Sequence, residues 1–300
     1  MGKVSKAIRR QLNRNEGKNL LHSEVETLLE IDGTFLAALE ELVSNPEVHM
    51  PSAKLDRIAA DVAASFIGKI YALNQYIQIA EDAKESLKRI YIESWRKLVE
   101  TKEVEATIRN HHYPRIRAFV EGLYPQSLAA GLKSRTQLGR VPSSEYSADL
   151  QMRILRLELQ RLREPILDIG CGAKGNLVRY LRTQKLEAFG IDRYIANRTD
   201  YLTEADWFDY EYGLNKWGTI VSNLSLANHF LYAQRYDQSK VPRYLVTFTK
   251  VLASLTVGGT FAFAPAIEQL EQHTDRRRYR MNRWEISPDA MGMGITRIAS

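Results

Sequence analysis

Cysteine is almost missing from this sequence: Cys171 is the single one in 300 residues. That excludes an internal disulfide, a four-cysteine zinc site and a three-cysteine iron–sulfur cluster, and it fits a reducing, cytoplasmic setting. Also missing is the apolar core of a secretion signal, since the chain opens Met1-Gly2-Lys3-Val4-Ser5-Lys6. Lys6 stands where a myristoylation motif needs Ser or Thr, so no anchor is expected. No uninterrupted apolar run reaches the roughly 18 residues that a membrane-crossing helix requires. No period of about 20 to 50 residues repeats, which argues against a solenoid.

What is present is an ordinary globular composition, 44% hydrophobic and 26% charged, in a chain long enough for two cores. The net charge of +6 sits mostly in the second half: residues 1–150 hold 21 Lys+Arg against 20 Asp+Glu, residues 151–300 hold 21 against 16. Two basic clusters stand out, Lys3, Lys6, Arg9, Arg10, Arg14 and Lys18 at the start, and Arg276, Arg277, Arg278, Arg280 and Arg283 near the end. Both could meet phosphates, with Arg276, Arg277 and Arg278 the candidate RNA contacts; the plain alternative is a solvated tail and loop.

From Ser23 to Leu123 apolar residues return every three or four positions, as in Val25, Leu28, Leu29 and Phe35, Leu36, Leu39, Leu42, which predicts helix after helix. Ser44-Asn45-Pro46 and Pro51 break the pattern, and Ser52 reads as the N-cap of a helix carrying Leu55, Ile58, Ala59, Val62, Phe66 and Ile67 on one face. Leu87, Ile90, Trp95 and Leu98 continue it until Pro114 and Pro125. His111 and His112 are adjacent, so they point apart on a helix, and no carboxylate stands at a ligand spacing; neither is expected to bind metal. Gly, Ser, Thr and Arg between Gly131 and Ser147 mark a linker, giving a helical domain over 1–147 and a second domain over 148–300. The second opens with a helix over 148–162 and then alternates apolar strand candidates (165–169, 188–191, 219–222, 260–264) with helical runs, the pattern of a parallel sheet. Runs 279–286 and 295–299, joined through Ser287-Pro288-Asp289 and a glycine-containing stretch, could close as an antiparallel hairpin.

The strongest local signal is Ile166-Leu167-Asp168-Ile169-Gly170-Cys171-Gly172-Ala173-Lys174-Gly175, an apolar strand running through a glycine turn into a helix with Leu177, Val178 and Leu181. Gly170 permits a sharp turn, Gly172 lets a ligand approach the backbone, and the helix start presents unpaired N–H groups. About twenty residues on, a second strand ends in Asp192, an acid able to accept both hydroxyls of a ribose. Cys171, between the glycines, reads as a small side chain that fits.

This ordered set resembles the class I S-adenosylmethionine-dependent methyltransferases, whose first motif is apolar-apolar-acid-x-Gly-x-Gly. The resemblance covers residues 164–300 and implies a Rossmann-like, seven-stranded, mostly parallel sheet with an antiparallel C-terminal hairpin; the helical domain ahead of it could serve as lid or substrate reader. It further implies S-adenosylmethionine as cofactor and S-adenosylhomocysteine as product, with Asp168 near the methionine amino end, Gly170 and Gly172 under the cofactor, and Asp192 on the ribose. Asp206 and Trp207 match the adenine position, the latter through its backbone N–H. Residues 219–229 resemble the fourth strand and the loop facing the methyl group, where Asn223 could bond cofactor or substrate and His229 could act as base. Tyr146 could close over the cofactor. Val257 stands where the family usually has Pro. The loop after Asn223 runs Leu-Ser-Leu and not Pro-Pro-aromatic, which speaks against methylation of exocyclic base amines. The acceptor stays open between RNA and a small metabolite, as does the oligomeric state.

Three other readings share these residues. Gly170, Gly172 and Gly175 spell G-x-G-x-x-G, and with Asp192 they would suit an NAD-dependent oxidoreductase; Asp168 and the Asp206-Trp207 pair speak against it. A non-catalytic module could keep the cofactor fold, and the glycines could simply make a tight turn.

Overall fold

The computed structural model describes residues 2–15, 18–20, 29–44, 50–74, 76–77, 79–124 and 146–299. Val25, Leu28, the Asn45-Pro46 break, Pro125 and the linker up to residue 145 lie outside them. The chain divides into two compact units, Met1–Ser143 and Ser144–Ser300.

In the first unit the described elements are helices: α1 (Gly2–Arg14), α2 (Gly33–Ser44), α3 (Ser52–Leu73), α4 (Glu81–Thr101), α5 (Val104–Thr107) and α6 (Tyr113–Gly122). No helix among the described residues is long and apolar enough to cross a membrane. The expected spacing appears as two clusters. Ala63, Ile67 and Ile70 of α3 pack with Leu87 of α4 and with Ile116 and Val120 of α6, while Leu39 and Val43 of α2 meet Leu98, Val104 and Ile108. Ser52 proves to be the first helical residue: Pro51 is the cap, and its carbonyl accepts from Lys54 and Leu55 at 2.9 and 3.0 Å. Between α5 and α6 the helix widens into a π turn, Ile108–His112, just before Pro114, which has no N–H to return to the preceding turn.

The second unit contains α7 (Ala148–Ile154), β1 (Ile166–Ile169), α8 (Asn176–Thr183), β2 (Ala188–Asp192), β3 (Leu202–Glu204), β4 (Trp217–Asn223), α9 (Leu226–Tyr236), α10 (Val241–Ser254), β5 (Leu255–Ala264), α11 (Glu268–Gln272), β6 (Tyr279–Ser287) and β7 (Ala290–Arg297). The strands form one seven-stranded sheet in the order β3-β2-β1-β4-β5-β7-β6. β1 to β5 pair in parallel, and β7 is antiparallel to both its neighbours, as the resemblance implied.

Alternation along the strands builds two cores, one on each face. Leu167, Ile169, Ile220, Phe261 and Phe263 point to one side and pack with Phe230 of α9 and Phe248 and Val251 of α10. Ile166, Val221, Ala262 and Ala264 point to the other and pack with Leu177, Val178 and Leu181 of α8. Truncating one of these fully buried aromatics, such as Phe248, typically costs about 3 to 5 kcal/mol.

Two further expectations need correction. The helix predicted over 148–162 stops at Ile154, because the Trp284 indole N–H takes its carbonyl at 2.8 Å and Arg156 turns left-handed (φ 50°). The glycine-containing stretch near 292 is strand and not turn. Gly292 lies opposite Trp284 in the β6–β7 ladder, and a Cβ there would meet the indole at 2.2 Å.

Candidate functional site

In an open parallel sheet the chain order reverses where β1 is flanked by β2 on one side and β4 on the other, and ligands bind beyond the carboxyl ends of the strands at that point. Those ends carry Asp168 and Asn223. Asp168 sits beside Gly190 of β2 and Val221 of β4, is 1% exposed, and neither carboxyl oxygen has a hydrogen-bond partner. Burial, and then the nearby Asp192, push its pKa up to about 8. Asn223 is also buried, with both amide atoms unpartnered.

Past β1 the chain turns on three left-handed glycines, Gly170 (φ 75°), Gly172 (φ 77°) and Gly175 (φ 60°). At Gly170 a Cβ would lie 1.9 Å from Ser225 Oγ, so only glycine brings this loop against the start of α9. Gly172 donates its N–H to Asp192 Oδ2 at 3.0 Å, while Asp192 Oδ1 accepts from Tyr194 N–H at 3.2 Å. Asp192 is half-buried, and its pKa is raised by desolvation despite the opposing charge of Arg193. Asp206 is half-buried as well, and its Oδ1 accepts from Phe208 N–H at 3.0 Å.

Trp207 is buried, and its indole N–H has no partner. Its ring meets the edge of the His229 ring at 4.7 Å, and the Arg193 guanidinium lies 5.3 Å from its centroid. His229 on α9 is 2% exposed, and burial followed by Arg193 lowers its pKa well below 6.5, so the imidazole is neutral at physiological pH. Tyr146 is placed by its backbone: its carbonyl accepts from Asn176 Nδ2 at 3.1 Å, at the first residue of α8. The structure thus gathers Asp168, Gly170, Gly172, Asp192, Trp207, Asn223 and His229 at one end of the sheet.

It does not bring Arg276, Arg277 and Arg278 there. They precede β6, with β7, β5 and β4 lying between that strand and β1. Their charge is partly offset, Arg277 by Asp275 at 3.2 Å and Arg276 by Glu271 at 3.7 Å.

Sequence reasoning missed Ser222 and Ser225. The Ser222 hydroxyl donates to Ile169 O at 2.9 Å and accepts from Leu226 N–H at 3.1 Å, tying the ends of β1 and β4 to the start of α9. Ser225, within Asn-Leu-Ser-Leu, carries no spacing signal, and the only hint for Ser222 was its place near the end of a strand. Cys171 is the packing residue expected: a Cβ on Gly190 would lie 2.8 Å from its sulfur, and burial, Asp168 and Asp192 all push its thiol pKa up. Among the described residues no group of three or more metal-ligating side chains converges.

With β7 antiparallel and set between β5 and β6, the order departs from the 3-2-1-4-5-6 of dinucleotide-binding domains. The second unit is a Rossmann-like, seven-stranded, mostly parallel sheet that ends in an antiparallel hairpin. No family model matches the chain, and no curated protein does. Solved structures similar to it include the N-methyltransferase NodS from Bradyrhizobium japonicum (14% identity, TM-score 0.37, 51% of this chain and 96% of that one). Another is a ribosomal protein L11 methylase from Lactobacillus delbrueckii subsp. bulgaricus (15%, TM-score 0.36, 50% and 79%). A third is a Burkholderia thailandensis 1,6-didemethyltoxoflavin-N1-methyltransferase bound to 1,6-didemethyltoxoflavin and S-adenosylhomocysteine (13%, TM-score 0.34, 45% and 71%).

Proposed function

We propose that the second unit binds S-adenosylmethionine beyond β1 and β4 and catalyses methyl transfer to an acceptor. The observation that carries this reading is the Asp168 carboxyl, enclosed at the switch point with both oxygens unpartnered beside a glycine turn. A buried carboxyl without donors is costly, and a cationic ligand offsets that cost. An amino acid ammonium suits it, and the partnerless Asn223 amide and Trp207 N–H offer further polar contacts in the same region.

In this reading Asp168 holds the amino end, Gly170 and Gly172 keep the floor free of side chains, and Asp192 accepts the ribose hydroxyls while anchoring the Gly172 N–H. Asp206 and the Trp207 backbone take the adenine. S-adenosylmethionine supplies a sulfonium-activated methyl group, so the chain's task is alignment and exclusion of water. Asn223 orients the acceptor or the cofactor, and the neutral His229 is the candidate proton acceptor where the nucleophile carries a proton. Tyr146, whose carbonyl accepts from Asn176 at the start of α8, is the residue that would close over the cofactor.

Calorimetry with S-adenosylmethionine, S-adenosylhomocysteine and NAD tests the reading: the first two should bind and NAD should not. Tight NAD binding, or none of the three, would overturn it. For the acceptor, RNA that copurifies and is released by salt would mark a polyanion, because affinity through phosphates falls steeply with salt; salt-insensitive turnover of a metabolite marks the other class.

A further inference from the structure

Helix α3 carries two adjacent apolar stripes. Ala59, Ala63, Ile67 and Ile70 are buried, whereas Leu55, Ile58, Val62 and Phe66 are only half-buried. The second stripe, with Ala59 and Ile70 of the first, lines a pocket of about 250 Å³ in the helical unit. A cavity of about 150 Å³ admits benzene, so this one has room for roughly ten non-hydrogen atoms.

Its lining is apolar apart from a few polar groups, among them Tyr91, Ser94 and His112. His112 comes from the π turn, an irregularity frequent at functional positions. Ser94 donates its one hydroxyl hydrogen to Ile90 O at 2.7 Å, so the 2.9 Å bond between Ser94 Oγ and His112 Nδ1 takes its proton from the imidazole. That tautomer leaves Nε2 as an acceptor. Tyr91 lies against the same ring, with centroids 5.2 Å apart. Desolvation lowers the His112 pKa to about 4 and raises that of Tyr91, and both residues are half-buried on the pocket lining. Neither cation on the lining is free: Lys18 is paired with Glu30 at 2.9 Å, and Lys69 is also engaged.

We infer that the helical unit has its own ligand site, which takes a small, uncharged, largely apolar molecule of about ten non-hydrogen atoms bearing one hydrogen-bond donor, received by His112. Its lining residues all belong to the first unit, and its test needs no cofactor.

The full chain is titrated by equilibrium dialysis with 2-naphthol, naphthalene and decanoate. The expected result is saturable 2-naphthol binding, tighter than naphthalene by about three- to tenfold, the worth of one hydrogen bond, with decanoate weakest. Val62→Phe fills the cavity and should weaken both aromatic probes at least about tenfold, the scale of an overpacked contact. His112→Phe should erase the preference for the naphthol, and His112→Gln, which keeps an acceptor, should restore it. If His112→Phe does not fold, as judged by circular dichroism, the wild-type preference, Val62→Phe and His112→Gln decide. No saturable binding, equal affinity for naphthol and naphthalene, decanoate in first place, or indifference to Val62→Phe would each overturn the inference.

Discussion

Replacing Asp168 by Asn separates stability from ligand binding in opposite directions. Burial lifts the Asp168 pKa from its ordinary 3.8 to about 8, so across that window the folded protein holds a proton that the unfolded chain has released. Stability must therefore fall as pH rises from about 4 to about 8, by nearly a tenfold change in the folding equilibrium per pH unit. Asn cannot ionise, and whatever its buried amide costs is the same at every pH. Between pH 5 and pH 7 the wild type should thus lose about 3 kcal/mol relative to Asp168→Asn. The measurement is urea unfolding of both full-length proteins at pH 5, 6, 7 and 8, followed by tryptophan fluorescence, which Trp207, Trp217 and Trp284 supply from this unit. Binding should move the other way: Asn removes a charge-assisted contact to an ammonium, so affinity for S-adenosylhomocysteine at pH 7 should fall about ten- to hundredfold. In the wild type that affinity should rise with pH up to about 8, since the ligand requires the ionised carboxyl. Parallel stability curves for the two proteins would refute the buried, proton-holding carboxyl and the reasoning built on it.

Asp192→Ala should lower S-adenosylhomocysteine affinity at least about tenfold by calorimetry, with Asn at the same position losing less, because two charge-assisted acceptors and the anchor of the Gly172 N–H go together. Gly170→Ala should destabilise the fold by at least about 1 to 3 kcal/mol through its left-handed backbone alone; Ser225→Gly in the same chain should recover the part due to the clash with Ser225, read by thermal unfolding. Reversing the charge of Arg276, Arg277 and Arg278 together should leave S-adenosylhomocysteine affinity within about twofold, given their place beyond β7 at the sheet edge. If RNA binds, the same change should flatten its log–log salt dependence by about one for each phosphate no longer neutralised; an unchanged slope would separate these arginines from any RNA-binding surface.

The glycine turn was legible in the sequence because each requirement there has one economical solution: positive φ at Gly170, Gly172 and Gly175 and an acid at the end of a recognisable strand. The strand at 260–264 was legible too, as an apolar run; in the structure its Phe261 and Phe263 face one core and Ala262 and Ala264 the other. What could not be read depends on contacts between distant residues. Trp284 ends α7 by taking the Ile154 carbonyl, 130 positions away, and it lies over Gly292, which made a strand glycine resemble a turn. The cavity in the helical unit was hidden for a related reason: Leu55, Ile58, Ala59 and Val62 share one periodicity, and only packing distinguishes the buried stripe from the one left half-covered.

The placement of β7 bears on how the unit is made. It is the last strand along the described chain, yet it lies inside the sheet between β5 and β6. During synthesis from the N-terminus, β6 leaves the ribosome with no neighbour to join, and β5 keeps a bare edge, until residues 290–297 emerge. Closure is then locked by Arg297, 5% exposed, whose Nη1 lies within hydrogen-bond reach of Asn215 Oδ1 (2.5 Å), Ala253 O (3.1 Å) and Leu255 O (2.7 Å). A nascent chain stalled before residue 290 therefore carries two unsatisfied strand edges, the condition under which sheets pair with other chains.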